Sequence, residues 1–362
     1  MTETRPAKPA DPHASHLPTA SASTGPAEAS KPAKPFDPRS AALRRFALSI
    51  SVFTILGHTL LGFEQAYMTP VVAILTAYLL ETVLETADAA AAGRRPRFLG
   101  VPAGQLVDFY LPAHITGLAC AMLLYGNNRL TPTICAVTIA VASKYLIRIR
   151  IGGRLKHVLN PSNGGIVAVL LLFPWVGIAP PYQFTEYLPD SLDWLVPAVI
   201  LVGGTLINGK LTRKMPLIAA WVGGFVLQAV VRGGLTDISM ISALLPITGA
   251  AFVLFTNYMI TDPATTPWRW RGQVAFGLTT AAAYGVLVSL HIVYGLFFAL
   301  VATCVLRGTG LVVLERQKQR QRRVQAATAA PPAAPAPAAD RPAADQPVLD
   351  SEPVGSVGRA QR

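Results

Sequence analysis

Apolar blocks of about 17–22 residues recur along nearly the whole chain, each about the length an α-helix needs to cross a bilayer. They fall near 42–63, 67–84, 106–126, 131–147, 162–180, 193–209, 216–232, 241–260, 272–289 and 291–312. Pro, Gly or charged residues bound each block, as expected where membrane helices stop. Only 14% of the 362 residues are charged while 52% are hydrophobic, too few charges to clothe a soluble domain. The pattern predicts an all-α polytopic membrane protein with about ten transmembrane helices, its main partner being the lipid bilayer.

Lys and Arg outnumber Asp and Glu by 31 to 19, for a net charge of +12. Such a balance would ordinarily suggest nucleic acid, but the charges lie between blocks and in the tails, where they act as topology determinants. No nucleic-acid partner is expected. Twenty-nine of the 31 basic residues fall in the N-terminal tail, after the second, fourth, sixth and eighth blocks, and from Arg307 onward. The alternate gaps hold only Arg129 and Arg232. The positive-inside rule then predicts ten spans in the cell membrane with both termini cytoplasmic.

Residues 1–40, rich in Pro, Ala, Ser and Thr, are predicted to be a disordered tail without the apolar core of a signal peptide. Residues 41–312 form the ten-span domain, and 313–362 a basic, then Ala/Pro-rich tail. That last segment starts near ERQKQRQRR, read as a helical extension whose charge fixes orientation.

Two Pro-containing breaks are the candidate sites. One is FTNYMITDPATTP at Phe255–Pro267 and the other HVLNPSNGG at His157–Gly165. Proline lacks an N–H and disfavours helix in the residue before it, so Asp262-Pro263 and Asn160-Pro161 should each end one segment and open the next. Both are expected at the cytoplasmic boundary, with Pro161 and Pro263 near helix starts. Asn160, Ser162, Asn163, Asn257, Thr261, Asp262 and Thr265 are the ligand candidates, and helix N-termini there would favour a phosphate or carboxylate. The competing reading at each break is a plain helix cap.

Other polar groups at membrane depth are few. His58 and His114 are ion-path candidates, against a neutral imidazole hydrogen-bonded between helices. Glu81, Glu85 and Asp88 are expected to pair with Arg94, Arg95 and Arg97. Cys120, Cys135 and Cys304 lie in apolar blocks without metal-site spacing, so no metal centre is expected. Trp175, Trp194, Trp221, Trp268 and Trp270 sit at block edges and read as interfacial anchors. Neither GxGxxG nor a P-loop is present. No catalytic residue is identified.

NPSNGG opening a block, YMITDPATTP closing one, and a final pair of blocks joined by the Gly- and His-containing turn Leu290–Gly295 resemble the NqrB/RnfD family of membrane subunits in ion-translocating electron-transport complexes. The likeness covers roughly 42–312. Within that group, DPRSAALRRFALS, LGHTLLGFEQ and FPWVGIAPPYQFTE resemble UnbU-type proteins, RnfD-related and associated with enediyne biosynthesis in actinomycetes. The resemblance implies a redox or accessory membrane component, with partner redox subunits or biosynthetic enzymes and flavin at the candidate residues. Respiratory members esterify FMN to a Thr in an SGAT-type motif, whereas the corresponding loop here reads PPYQFTEYLPDSLDW. Thr185 lacks that context, so covalent FMN is not expected and non-covalent flavin is the remaining form. A membrane transporter or channel for a metabolite or ion, without redox chemistry, is the alternative.

Overall fold

The computed structural model describes residues 38–180, 184–236 and 238–329. Of the tails expected at 1–40 and 313–362, residues 1–37 and 330–362 lie outside the described residues, as do Pro181, Tyr182 and Gln183 of the PPYQFTE loop, while 38–40 and 313–329 are helical.

Each apolar block forms helix. In order these are α1 (Pro38–Leu56), α2 (Met68–Ala91), α3 (Ala103–Leu123), α4 (Leu130–Leu146), α5 (Pro161–Leu172), α6 (Leu195–Ile207) and α7 (Met215–Leu235). Short α8 (Met240–Leu244) and α9 (Ala250–Leu254) then precede α10 (Trp270–Ser289) and α11 (Gly295–Ala329). Four short strands complete the order: β1 (Leu124–Tyr125), β2 (Arg148–Ile151), β3 (Arg154–His157) and β4 (Gly177–Ile178). β2 and β3 form an antiparallel hairpin with Arg148 opposite His157, and β1 pairs antiparallel with β4.

Among the described residues seven helices are long and apolar enough to cross a membrane, or eight if the bent pair at 240–259 counts as one span. That is fewer than the ten expected. The two blocks that fall short are α4, with 17 residues, and α5, with 12. Twelve residues make a helix of about 18 Å, little more than half of a ~30 Å hydrocarbon layer. Pro161 sets the start of α5, because a proline is accommodated in the first turn but not deeper. Phe173-Pro174 sets its end, and the chain then runs into β4 instead of completing the block.

Charge collects at one end of the bundle, where an acidic ladder on α2 meets basic side chains. Glu81 accepts from Lys144 Nζ at 2.6 Å and from Tyr145 Oη at 2.9 Å. Glu85 is held by Arg94 and by the main chain and guanidinium of Arg97, and Asp88 by Arg94 and Arg148 at 2.7 and 2.6 Å. Their spacing of four and three residues puts all three acids on one helix face. Beyond the membrane-length part of α2, the Glu85 carboxylate raises the pKa of both Arg94 and Arg97 above the usual arginine range. Pairing of Glu85 and Asp88 with Arg94 and Arg97 agrees with expectation, while Lys144 and Arg148 are partners from elsewhere in the chain.

Trp221 departs from its expected role. It is fully buried, donates from Nε1 to Thr256 Oγ1 at 2.9 Å, and packs between Phe252, Phe255 and Phe225. Close packing of α7 and α10 at Gly277, where a Cβ would meet Leu217 O at 2.7 Å, draws this part of α7 into the core. Trp175, Trp194, Trp268 and Trp270 are exposed. Helix α11 runs 35 residues, about 52 Å, so its basic end extends well past any single bilayer crossing.

Candidate functional site

The NPSNGG stretch builds a half-helix whose start lies inside the bundle. Val158 packs against Gly308 of α11, while Asn163 Nδ2 donates to the carbonyl of Phe297 at 3.0 Å. Residues 158–160 enter without helix and Pro161 starts α5, so the break packs along α11 between Gly308 and Phe297. Asn160 is buried within the bundle at 6% exposure. Asn160 caps the helix, its Oδ1 accepting from the Asn163 N–H at 3.2 Å and from Ser162 Oγ at 3.0 Å. Its Nδ2 donates to the Met259 carbonyl at 3.0 Å, which ties the first candidate stretch to the second.

The second stretch opens with a π-helical turn, Phe255–Met259, facing another, Asn208–Thr212, at the end of α6. A π-turn leaves carbonyls outside the regular helical ladder, and side chains answer them here. Asn208 Nδ2 donates to the carbonyls of Gly204 and Asn257 at 2.9 and 2.7 Å, and Thr261 Oγ1 to that of Asn257 at 2.7 Å. Gly204 is required at this crossing, since an added Cβ would collide with the Asn257 side chain.

Asp262-Pro263 does not open a helix. Asp262 organises a turn, with Oδ1 accepting from the Ala264 N–H at 3.2 Å, Oδ2 from Thr265 Oγ1 at 2.8 Å, and its carbonyl from Thr266 Oγ1 at 2.6 Å. Helix α10 starts only at Trp270. The carboxylate satisfies its own loop first, as Asp before Pro commonly does. Buried Lys214, between the π-turn after α6 and α7, donates to the Pro267 carbonyl at 2.7 Å and lies over the Trp268 ring. Burial lowers its pKa to about 8, with Asp262 opposing that shift.

Between these parts lies a cavity of about 1440 Å³. Asn160, Ser162, Asn257, Thr261 and Asp262 border it, so five of the seven expected site residues converge. Asn163, turned to α11, and Thr265, 1% exposed beneath the Asp262 turn, do not line it. The Asn257 side chain is 2% exposed, and its Oδ1 has no hydrogen-bond partner among the described residues. A buried acceptor of that kind is rare and costs about 1–3 kcal/mol if left bare.

The two histidines lie elsewhere. His114 bridges Ser51 Oγ at 2.7 Å and Tyr78 Oη at 2.9 Å, a helix-to-helix hydrogen bond. His58 Nδ1 is 2.9 Å from the Thr54 carbonyl in a π-turn against Phe63 and Tyr67. Neither borders the cavity. Conversely, Phe46, Asn208, Lys210, Arg213 and Tyr258 do border it and were not singled out. The polar run Asn208-Gly-Lys closing an apolar block was the available signal.

Among the described residues no group of three or more His, Cys, Asp or Glu side chains could hold a metal ion. Cys120 and Cys304 are buried, and the Asn160 N–H is directed at the Cys304 sulfur. The chain matches no protein-family model and no curated protein, so the site is read from its own residues.

Proposed function

We propose that this chain is a membrane-embedded ligand-binding component of the RnfD/NqrB kind, a redox or accessory subunit serving a biosynthetic route of the enediyne class. The observation that carries the reading is a cavity of about 1440 Å³ at the junction of two broken helices, bordered by Asn160, Asn257 and Asp262. Ligand cavities of ordinary size run to about 1,000 Å³, so a large organic ligand fits with room to spare. Phe46 and Tyr258, stacked with centroids 5.0 Å apart, provide an aromatic wall, and Ser162 and Thr261 border the same cavity with polar side chains. These residues suit a non-covalently held flavin, which when bound would supply one- or two-electron transfer. The chain's own contribution would be to hold the ring and exclude water. The basic loops support an orientation with both termini on the cytoplasmic side of the cell membrane.

The absorption spectrum of the protein purified in mild detergent tests this reading. Flavin absorbance that leaves the polypeptide on denaturation is the expected result. A fluorescent band on a denaturing gel would instead restore covalent attachment, and a colourless preparation would overturn the redox assignment.

A second reading, transport of a metabolite or ion, is favoured by a different observation. The 64° bend at 240–259 and the half-length α5 are discontinuous helices meeting at the cavity, the architecture on which alternating access is built. Flux into liposomes with colourless protein would support it.

A further inference from the structure

The cavity is lined by both charged and apolar side chains. Three of its basic side chains are already spent: Arg97 on Glu85, Lys144 on Glu81 and Arg148 on Asp88. Two of its acids are likewise committed, Glu81 to Lys144 and Asp108 to Arg44, the latter through two bonds of 2.6 and 2.9 Å. The third, Asp262, has both oxygens engaged by its own turn. Lys210 and Arg213 also border the cavity, and neither side chain has a hydrogen-bond or ion-pair partner among the described residues. Arg213 is moreover held at φ 54° and ψ 46°, a left-handed conformation that favours Gly or Asn. An arginine kept there is strained backbone at a site edge.

Part of the cavity wall is apolar. Val199 and Ile207 of α6 line it together with Phe46, Val52 and Phe53 of α1. Among the lining residues, Leu48 is 66%, Val52 46% and Val199 62% exposed, so the cavity is not sealed along the surface shared by α1 and α6. Such side chains would lie against lipid in a bundle of this kind.

We propose that this cavity binds an amphipathic anion, a phosphate or carboxylate held by Lys210 and Arg213 with its hydrocarbon body along α1 and α6. The inference rests on the reading of the cavity as the ligand site and adds the ligand's chemical class. Two unpartnered cations against one internally satisfied carboxylate leave that part of the lining positive, and Arg presents a planar fork suited to phosphate or carboxylate oxygens. The same chemistry is offered by anionic lipid from the bilayer and by a soluble organic acid.

The test is equilibrium binding to the full chain in delipidated detergent solution, with hexyl phosphate, hexanol and inorganic phosphate as probes. Hexyl phosphate should bind at least about tenfold tighter than either fragment, as expected when a charged contact and apolar burial act together. Lys210→Gln/Arg213→Gln should lose about tenfold of that affinity, and Val199→Trp should obstruct the apolar half. Lys318→Gln/Arg320→Gln, in the exposed extension of α11, should bind as the parent does. Rising salt should weaken hexyl phosphate and not hexanol, a readout that needs no variant to fold. Hexanol binding as tightly as hexyl phosphate, or salt-independent binding of the latter, would overturn the proposal, as would inorganic phosphate matching hexyl phosphate. Phosphatidic acid in phosphatidylcholine nanodiscs that displaces hexyl phosphate supports the proposal with the bilayer as source; binding without that displacement supports it with a soluble source. A colourless protein that binds hexyl phosphate would retire flavin and leave this inference standing, whereas a flavin-loaded protein indifferent to hexyl phosphate would do the reverse.

Discussion

Asn208 Nδ2 lies 2.7 Å from the backbone oxygen of Asn257, a single amide joining the π-turn that ends α6 to the one that follows α9. Both residues are buried, at 1% and 2% exposure. Asn208→Ala should lower stability by about 1 kcal/mol, the worth of one lost hydrogen bond, since the Asn257 carbonyl keeps the Thr261 hydroxyl. Thermal unfolding in detergent measures this, and a melting temperature equal to that of the parent would show that the two turns hold without the amide.

Gly204 faces the same crossing from the α6 side. Gly204→Ala should push α6 away from the Asn257 side chain and destabilise the protein by about 1–3 kcal/mol. Gly209, with nothing within 4 Å of an added Cβ, is the internal control, and Gly209→Ala should be near neutral or slightly stabilising. Equal melting temperatures for the two variants would sink the close-approach argument.

Asp262 borders the cavity yet spends its carboxylate on Ala264 and Thr265. Asp262→Asn keeps an acceptor for the Ala264 N–H and should stay within a few tenths of a kcal/mol of the parent, whereas Asp262→Ala should lose about 1 kcal/mol as other turn and cap deletions do. Ligand binding in Asp262→Asn should persist. Its complete loss in a protein that melts normally would make the carboxylate a ligand contact in its own right.

Glu81 and Lys144 form an ion pair with side chains only 5% and 12% exposed. Removing one partner leaves a buried charge, so Lys144→Met should cost about 3–5 kcal/mol, eased in part because Tyr145 also donates to Glu81. Lys144→Met/Glu81→Gln should recover much of the loss. A double variant as unstable as the single one would mean that Lys144 acts through packing and not through charge.

Lys214 sets a pH dependence of definite sign. Burial holds its pKa near 8 in the folded protein against an ordinary 10.5, so the unfolded chain binds the extra proton between those values. Stability should accordingly rise as pH increases from about 8 toward 10.5, the penalty of burying the cation being fully present below 8. Comparing unfolding of the parent and Lys214→Met at pH 7 and pH 10 isolates the effect. A parent-to-variant difference that does not change with pH would place the ammonium in a better solvated setting than its complete burial implies.

The sequence by itself determined that the chain is a membrane helical bundle, because block length and the low share of charge leave few other ways to satisfy the backbone. It also determined the start of α5 at Pro161, since proline removes a donor and constrains the residue before it, whereas the 64° bend inside the 241–260 block and the turn after Asp262 were not legible there; five of the seven candidate residues do meet at one cavity. Depth and direction were decided only by tertiary structure. Asn160-Pro161 reads as a simple turn between helices until the Asn160 amide is seen tied to the Met259 carbonyl, and Trp221 reads as an anchor until Gly277 draws α7 onto α10. Lys210 and Arg213 looked like topology charges among others, for a local pattern cannot show which cations are already neutralised by acids far away in the chain. Pairing of that kind is long-range: Lys144 finds Glu81 sixty-three positions away, and Arg148 finds Asp88 across sixty.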